Sequence, residues 1–359
     1  MKIIIITPGF KYQNSISLLT PLFVWKNKIL DIGLSFNLSN CISNNLEGDV
    51  VLVDSKFHRY DWINNDNKIY EDFNFLRQRF SKVIYCDTAD SSGWIQSELF
   101  PYIDKYWKLQ ILKDKKKYLS KMYDRRIYTN YYHERFNISD EHSDFSDENL
   151  TSLDLNKIEV FWNSSMADFS NYSHFYRKLY KFIKFNYLIK FKDNKFKINY
   201  KKTNDIFTRF NFDNYRETIK FHRKTILNKL NKFENINYKR IGRKNYLNEL
   251  AKSKISVSPF GWGEIAYRDF ETFLHKSILL KPSMSHISTW PKLYQENKTY
   301  IPFDWDLSDL NDKIEYILSN YKNLTNIAVN GFDNYRKFTY DKGADSLFVN
   351  RLSHLFKNI

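Results

Sequence analysis

Two cysteines in 359 residues, Cys41 and Cys86, are too few for a disulfide framework or a cysteine zinc site, and a reducing compartment suits such a chain. Long hydrophobic runs are also missing. The longest, Ile3 to Ile6 and Val50 to Val53, are strand-length and fall far short of the ~20 residues a membrane-spanning helix needs. The start, Met1-Lys2 followed by four isoleucines and Thr7-Pro8-Gly9, has an apolar core too short for a secretory signal and no small-residue cleavage site. The expected location is therefore the cytoplasm. No fixed-period repeat occurs. Acidic residues are in deficit, 41 Asp+Glu against 56 Lys+Arg, which leaves a formal net charge of +15. That excess suits nucleic acid, anionic lipid headgroups or a phosphorylated substrate, or reflects a Lys- and Asn-rich codon bias with no partner behind it.

Apolar material is plentiful: 42% of residues are hydrophobic and 18% aromatic, enough for a globular core. The length suits two domains of roughly 150 residues each. Lys2 to Thr7, Asp49 to Asp54 and Lys82 to Cys86 read as strands buried on both faces, separated by helical stretches at 18–30 and 70–80, so residues 1–138 are expected to form a Rossmann-like domain. Residues 139–157 turn acidic and small, the composition of a linker. A second alternating pattern over 158–335 opens with a strand from Ile158. It continues with a helix at 172–189 and strands at 205–210, 255–258, 277–280 and 299–302. Helices are expected at 216–232, 245–252 and 310–319. The tail reads as helical with breaks near Gly331 and Gly343, and residues 336–359 are assigned to a helix returning to the first domain. The predicted class is α/β, with two Rossmann-like domains.

From Tyr176 to Lys202, basic residues interleave with Tyr and Phe. Three readings stand open: a helix and hairpin with basic outer faces, a surface for anionic lipid, or a platform for nucleic acid.

Chemistry concentrates at 251–282. Ser253 to Ser258 reads as a strand, Pro259-Phe260-Gly261-Trp262-Gly263 as a turn, and a helix starts near Ile265. Free N–H groups and a positive helix end then sit at the mouth of a parallel sheet, where phosphate is well received. Gly261 and Gly263 let the backbone come close to a ligand. Arg268 and Glu271, three apart, share a helix face. Arg268 suits a diphosphate and Glu271 a pair of ribose hydroxyls, unless the two merely pair with each other at the surface.

The run Ser253-Lys254-Ile255-Ser256-Val257-Ser258-Pro259-Phe260-Gly261-Trp262, with Arg268, Glu271 and Ser277 to Pro282 after it, resembles the donor-binding segment of GT-B glycosyltransferases, above all the exostosin-like pattern. The resemblance implies a GT-B fold, two Rossmann-like domains facing each other across a cleft, and sugar transfer from a nucleotide-sugar donor to a glycan or lipid-linked acceptor, with inversion. It assigns Glu271 to the ribose and Arg268 to phosphate or sugar; Gly261, Trp262, Gly263, Glu264 and Tyr267 lie in the same segment. Six residues separate Glu264 from Glu271 where the group 1 pattern has seven, and the glycine-rich loop of that group is missing from the first domain.

Metal-free transferases of this fold neutralise the leaving diphosphate with Arg or Lys. Arg209, near a strand end, is the first candidate; Arg216 and Arg223 read as solvated. No catalytic metal is expected. Asp87 and Asp90, directly after a buried strand, are candidate general bases or else caps of the next helix. His58 and His133 are weaker candidates. The expected partners are the nucleotide-sugar, the acceptor and an anionic membrane face touched peripherally at its inner side. The competing functions are a basic nucleic-acid-binding protein and a GT-B relative without catalysis.

Overall fold

The computed structural model describes residues 1–141, 150–167, 191 and 200–359. The expected helix at 172–189, most of the basic stretch and the middle of the acidic linker lie outside the described residues.

In the first unit the chain runs β1 (Lys2–Ile6), α1 (Gln13–Val24), α2 (Lys26–Asp31), β2 (Ser35–Ser39), β3 (Val50–Asp54), α3 (Asp61–Asn64), α4 (Asp66–Arg79), β4 (Lys82–Asp87), β5 (Lys105–Lys108), β6 (Gln110–Leu112), α5 (Ile127–Phe136) and β7 (Ile158–Val160). All but β6 of these strands form one six-stranded sheet in the order β2-β1-β3-β4-β5-β7, every pair parallel. The alternation inside β1 explains its all-isoleucine run. Ile3 and Ile5 enter one core while Ile4 and Ile6 enter another on the opposite face, so both sides must be apolar.

The second unit holds β8 (Asn204–Phe207), α6 (Glu217–Leu230), α7 (Arg243–Lys252), β9 (Ser253–Val257), α8 (Tyr267–Leu274), β10 (Ile278–Pro282), β11 (Ile287–Thr289), β12 (Ile301–Phe303), α9 (Leu310–Ser319), α10 (Tyr321–Lys337) and α11 (Ala344–Lys357). Its sheet, β12-β10-β9-β8, is parallel throughout. Ile255, Val257, Ile278 and Leu280 pack on one face against Ile226, Leu230, Ile314 and Ile317 of the helices.

Two expectations fail. Ile158–Val160 does not open the second unit: it is the edge strand of the first sheet, Tyr106 opposite Ile158, because its apolar side chains complete the β5 side of that core. Nor does Gly331 break a helix. α10 runs through it, and a Cβ there would lie 2.7 Å from the ring of Phe273, so the glycine serves close packing of α10 on α8. The break at 338–343 does occur, and Gly343 adopts the left-handed conformation (φ 96°) that a side chain resists. Beyond it α11 crosses back to the first unit. Phe348 packs on Trp25 and Trp162, Phe356 on Trp107 and Phe36, and Arg351 donates to the carbonyls of Val160 and Phe161.

Candidate functional site

The loops at the carboxyl ends of the two sheets meet. Ser92, in the loop after β4, donates its N–H and hydroxyl to the Glu264 carboxylate at 2.9 and 2.5 Å, and Tyr128 on α5 donates to the Gly261 carbonyl at 3.0 Å. A Cβ on Gly263 would lie 1.9 Å from the carbonyl oxygen of Asp90, so only glycine lets these loops touch. β6 of the first unit pairs antiparallel with β11 of the second, which fixes the units to each other. Two Rossmann-like parallel sheets thus oppose their carboxyl ends across a shared cleft. The architecture is GT-B. Within the cleft a cavity of about 190 Å³ is lined by Asp90, Gln110, Tyr215, Arg223, Trp262 and Tyr267, among others, from both units.

On the second side, Ser258 directly follows β9 and the loop from there leads to α8. Asp269, the third residue of α8, accepts from the Ala266 N–H at 3.1 Å, which caps the helix, and from Ser258 and Tyr294 at 2.5 and 2.7 Å. Lys281, fully buried at the end of β10, lies 3.2 Å from the same carboxylate. Two more cations join them. Arg223 on α6, 5% exposed, donates to the carbonyls of Phe260 and Asn211, both at 2.7 Å, and its guanidinium lies over Tyr215 at 4.2 Å from the ring centre. Arg268 donates to the carbonyl of Arg209 at 2.7 Å, and its buried Nε has no hydrogen-bond partner. Burial pulls Arg223 down to about 10, with Arg268 adding repulsion, and burial likewise lowers Lys281 although Asp269 favours its charge.

Arg268 and Glu271 do not pair with each other. Glu271, 6% exposed, accepts from Arg243 of α7 at 2.5 Å, leaving Arg268 directed at the Arg209 carbonyl. Arg209 is turned away from the cleft: its fork holds Glu249 at 2.8 and 2.9 Å, beside a separate surface hollow along β8. Glu264, fully buried, joins the units and faces His286, whose Nε2 lies 3.6 Å away. Burial opposes its charge, yet the His286 imidazole and the Ser92 donors together hold its pKa below the ordinary glutamate value. Gly261 passes close to Arg223, where a Cβ would lie 3.0 Å from its Nη2. Trp262 is 41% exposed at the rim.

On the first side, Asp87 is closed in. Its Oδ2 accepts from Lys108 at 2.5 Å and Tyr106 at 2.7 Å and its Oδ1 from the Ala89 N–H at 2.8 Å, and it does not line the cavity. Asp90 is exposed, its carboxylate held by Asn14 of α1 at 2.8 Å. His58 is buried against Asp72 and His133 is stacked flat on Tyr123; neither lines the cleft cavity. Arg223, expected to be solvated, is buried instead, and the sequence gives no sign of the roles of Arg243, Asp269 and Asn14. Lys281 carried a signal, a lysine inside the apolar run Ile278 to Pro282.

No protein-family model and no curated protein matches the chain. Solved structures similar to it include HepE of Anabaena in complex with UDP and glucose, with a TM-score of 0.48 and 7% identity over the whole of both chains. A glycosyltransferase of Rickettsia africae gives a TM-score of 0.48 and 11% identity, covering 99% of this chain and 97% of that one. The β-glucosyltransferase of phage T4 gives 0.46 and 12%, covering 100% of this chain and 99% of its own.

Proposed function

We propose that the chain is a glycosyltransferase that moves a sugar from a nucleotide-sugar to a hydroxyl of a glycan or lipid-linked acceptor, with inversion. The observation that carries the reading is the uneven charge under the loop after β9. Lys281 has Asp269 for its acid, Arg223 and Arg268 add repulsion to Lys281 from beside it, and Arg268 keeps a buried Nε without a partner. Burying cations beyond their acids costs several kcal/mol unless an anion arrives. A diphosphate is such an anion, and its departure is the step these charges would assist. Glu271, oriented by Arg243, is the ribose acceptor.

Asp90 is the general base of this reading. It is exposed, faces the cavity from the acceptor side and is oriented by Asn14. It removes the acceptor proton as the hydroxyl oxygen bonds to the anomeric carbon. The bond from that carbon to the diphosphate oxygen breaks, and the electron pair leaves with the nucleotide. The positive charge needed comes from arginine and lysine, without a metal. Isothermal titration with uridine, guanosine, adenosine and thymidine diphosphates tests the donor half: at least one is expected to bind, and to bind about tenfold or more weakly to Arg268→Ala. Failure of all four to bind the intact protein would sink the reading.

A further inference from the structure

Two consecutive residues of α6 hold the loop after β9. His222 Nε2 accepts from the Phe260 N–H at 3.2 Å, and Arg223 Nε donates to the Phe260 carbonyl at 2.7 Å, so both backbone groups of one residue are fixed. At its other nitrogen, His222 Nδ1 lies 2.6 Å from the Tyr132 hydroxyl, which donates to the Trp305 carbonyl at 2.7 Å. His222, Tyr132 and Phe260 are each 1% exposed, so water does not compete for these bonds.

The contacts leave His222 a single arrangement. A neutral imidazole has one N–H. Phe260 needs Nε2 as an acceptor and Tyr132 gives its only proton to Trp305, so Nδ1 carries the hydrogen and donates to the Tyr132 oxygen. The bonds then run one way, from the Phe260 N–H through His222 and Tyr132 to the Trp305 carbonyl, and each strengthens the next. Burial, with repulsion from Arg223 and Lys281 added, holds the imidazole well below the ordinary histidine range and keeps it neutral.

This chain ties the donor side to the first unit. Tyr132 lies on α5, and Tyr128, four residues earlier on the same helix face, donates to the Gly261 carbonyl at 3.0 Å. Trp262 and Gly263 come next. Both line the cavity, and their N–H groups have no hydrogen-bond partner among the described residues. N–H groups held in place in this way receive an anion well.

We infer that His222 is a positioning residue for the donor: seated by Tyr132, it sets the Phe260 backbone so that Arg223 and the N–H groups of Trp262 and Gly263 meet the diphosphate. The inference rests on the transferase reading. His222 does not itself line the cavity, so it acts through the loop.

The test compares two amides at position 222 in the full chain, titrated with whichever of the four nucleoside diphosphates the intact protein binds best. His222→Gln puts a side-chain oxygen near the former Nε2, where it accepts from Phe260; His222→Asn is shorter and reaches only Tyr132. The asparagine variant is expected to bind about 5- to 10-fold more weakly than wild type, and the glutamine variant to stay within about threefold. Tyr132→Phe removes the hydroxyl alone and serves if His222→Asn does not fold. It is expected to weaken binding about threefold or more, and to shift the nitrogen-15 resonances of His222 away from the Nδ1–H form of the wild type. Equal affinities in the two amide variants, a Tyr132→Phe protein that binds like wild type, or a wild-type His222 found as the Nε2–H form or the imidazolium near neutral pH would each overturn the inference. If no nucleotide binds the intact protein, the transferase reading falls and takes the inference with it; binding that is indifferent to position 222 removes the inference alone.

Discussion

Each unit buries a lysine–carboxylate pair at the carboxyl end of its sheet, and the two pairs are finished differently. In the first, Asp87 and Lys108 are neighbours in register on β4 and β5, both nearly free of solvent, and Tyr106 and the Ala89 N–H add two further hydrogen bonds to the carboxylate. Charge and hydrogen bonds balance. In the second, Lys281 and Asp269 are equally buried, but Arg223 and Arg268 add positive charge beside them. A balanced buried pair holds a fold together, whereas an unbalanced one waits for a counter-ion. The difference separates a structural carboxylate from a ligand site on two sheets of one architecture.

The largest expected effect tests the balanced side. Asp87→Ala leaves Lys108 as a lone buried cation and should cost about 3–5 kcal/mol in urea unfolding. A change in unfolding free energy below about 1 kcal/mol would mean that Lys108 finds water, and the contrast between the pairs would collapse. Asp90→Asn keeps the acceptor oxygen that Asn14 needs but removes the base. Turnover in a transfer assay should fall by about 10²–10⁴-fold with nucleotide affinity unchanged; a variant that retains wild-type turnover would move the base elsewhere.

Arg268→Ala addresses the unbalanced side. It removes a cation that Arg223 and Lys281 both feel as repulsion, so stability should hold or rise slightly while nucleoside diphosphate affinity falls by about 10- to 100-fold. A large loss of stability instead would show that the cation cluster is already balanced without a ligand.

These contrasts were unevenly legible in the amino-acid sequence. The doubly wound pattern could be read because strands buried on both faces leave long β-branched runs such as Ile3 to Ile6, which no helix period imitates. The turn at Gly261 and Gly263 could be placed by its position between strand and helix, although Gly263 turns out to admit the Asp90 backbone. Partners could not be read. Arg209 and Arg223 look alike as letters, yet Glu249, forty residues away, takes the first, and burial under Phe260 keeps the second at the cleft. The same holds for Asp87 and Asp90, three residues apart: one lies inside the sheet's end and the other just past it. The strand at Ile158 was assigned to the wrong unit because sequence order suggests the nearer domain, while the open edge of β5 supplies the apolar surface.

The smallest expected effect concerns Glu264, the carboxylate that ties the two loops together. Its pKa in the folded protein lies below the ordinary value of 4.5, since the gain from His286 and Ser92 outweighs the burial that opposes its charge. In the unfolded chain the ordinary value returns. The stability it contributes is therefore fully present above about pH 4.5 and is lost as pH falls through the lower folded value, because the unfolded chain binds the proton first. Glu264→Gln abolishes this titration while keeping the shape. The difference in unfolding free energy between wild type and Glu264→Gln, followed from pH 6 downward, should be constant to about pH 4.5 and then narrow. A difference that stays flat into acid would mean that Glu264 is already protonated, and that Ser92 is held by a neutral carboxyl group.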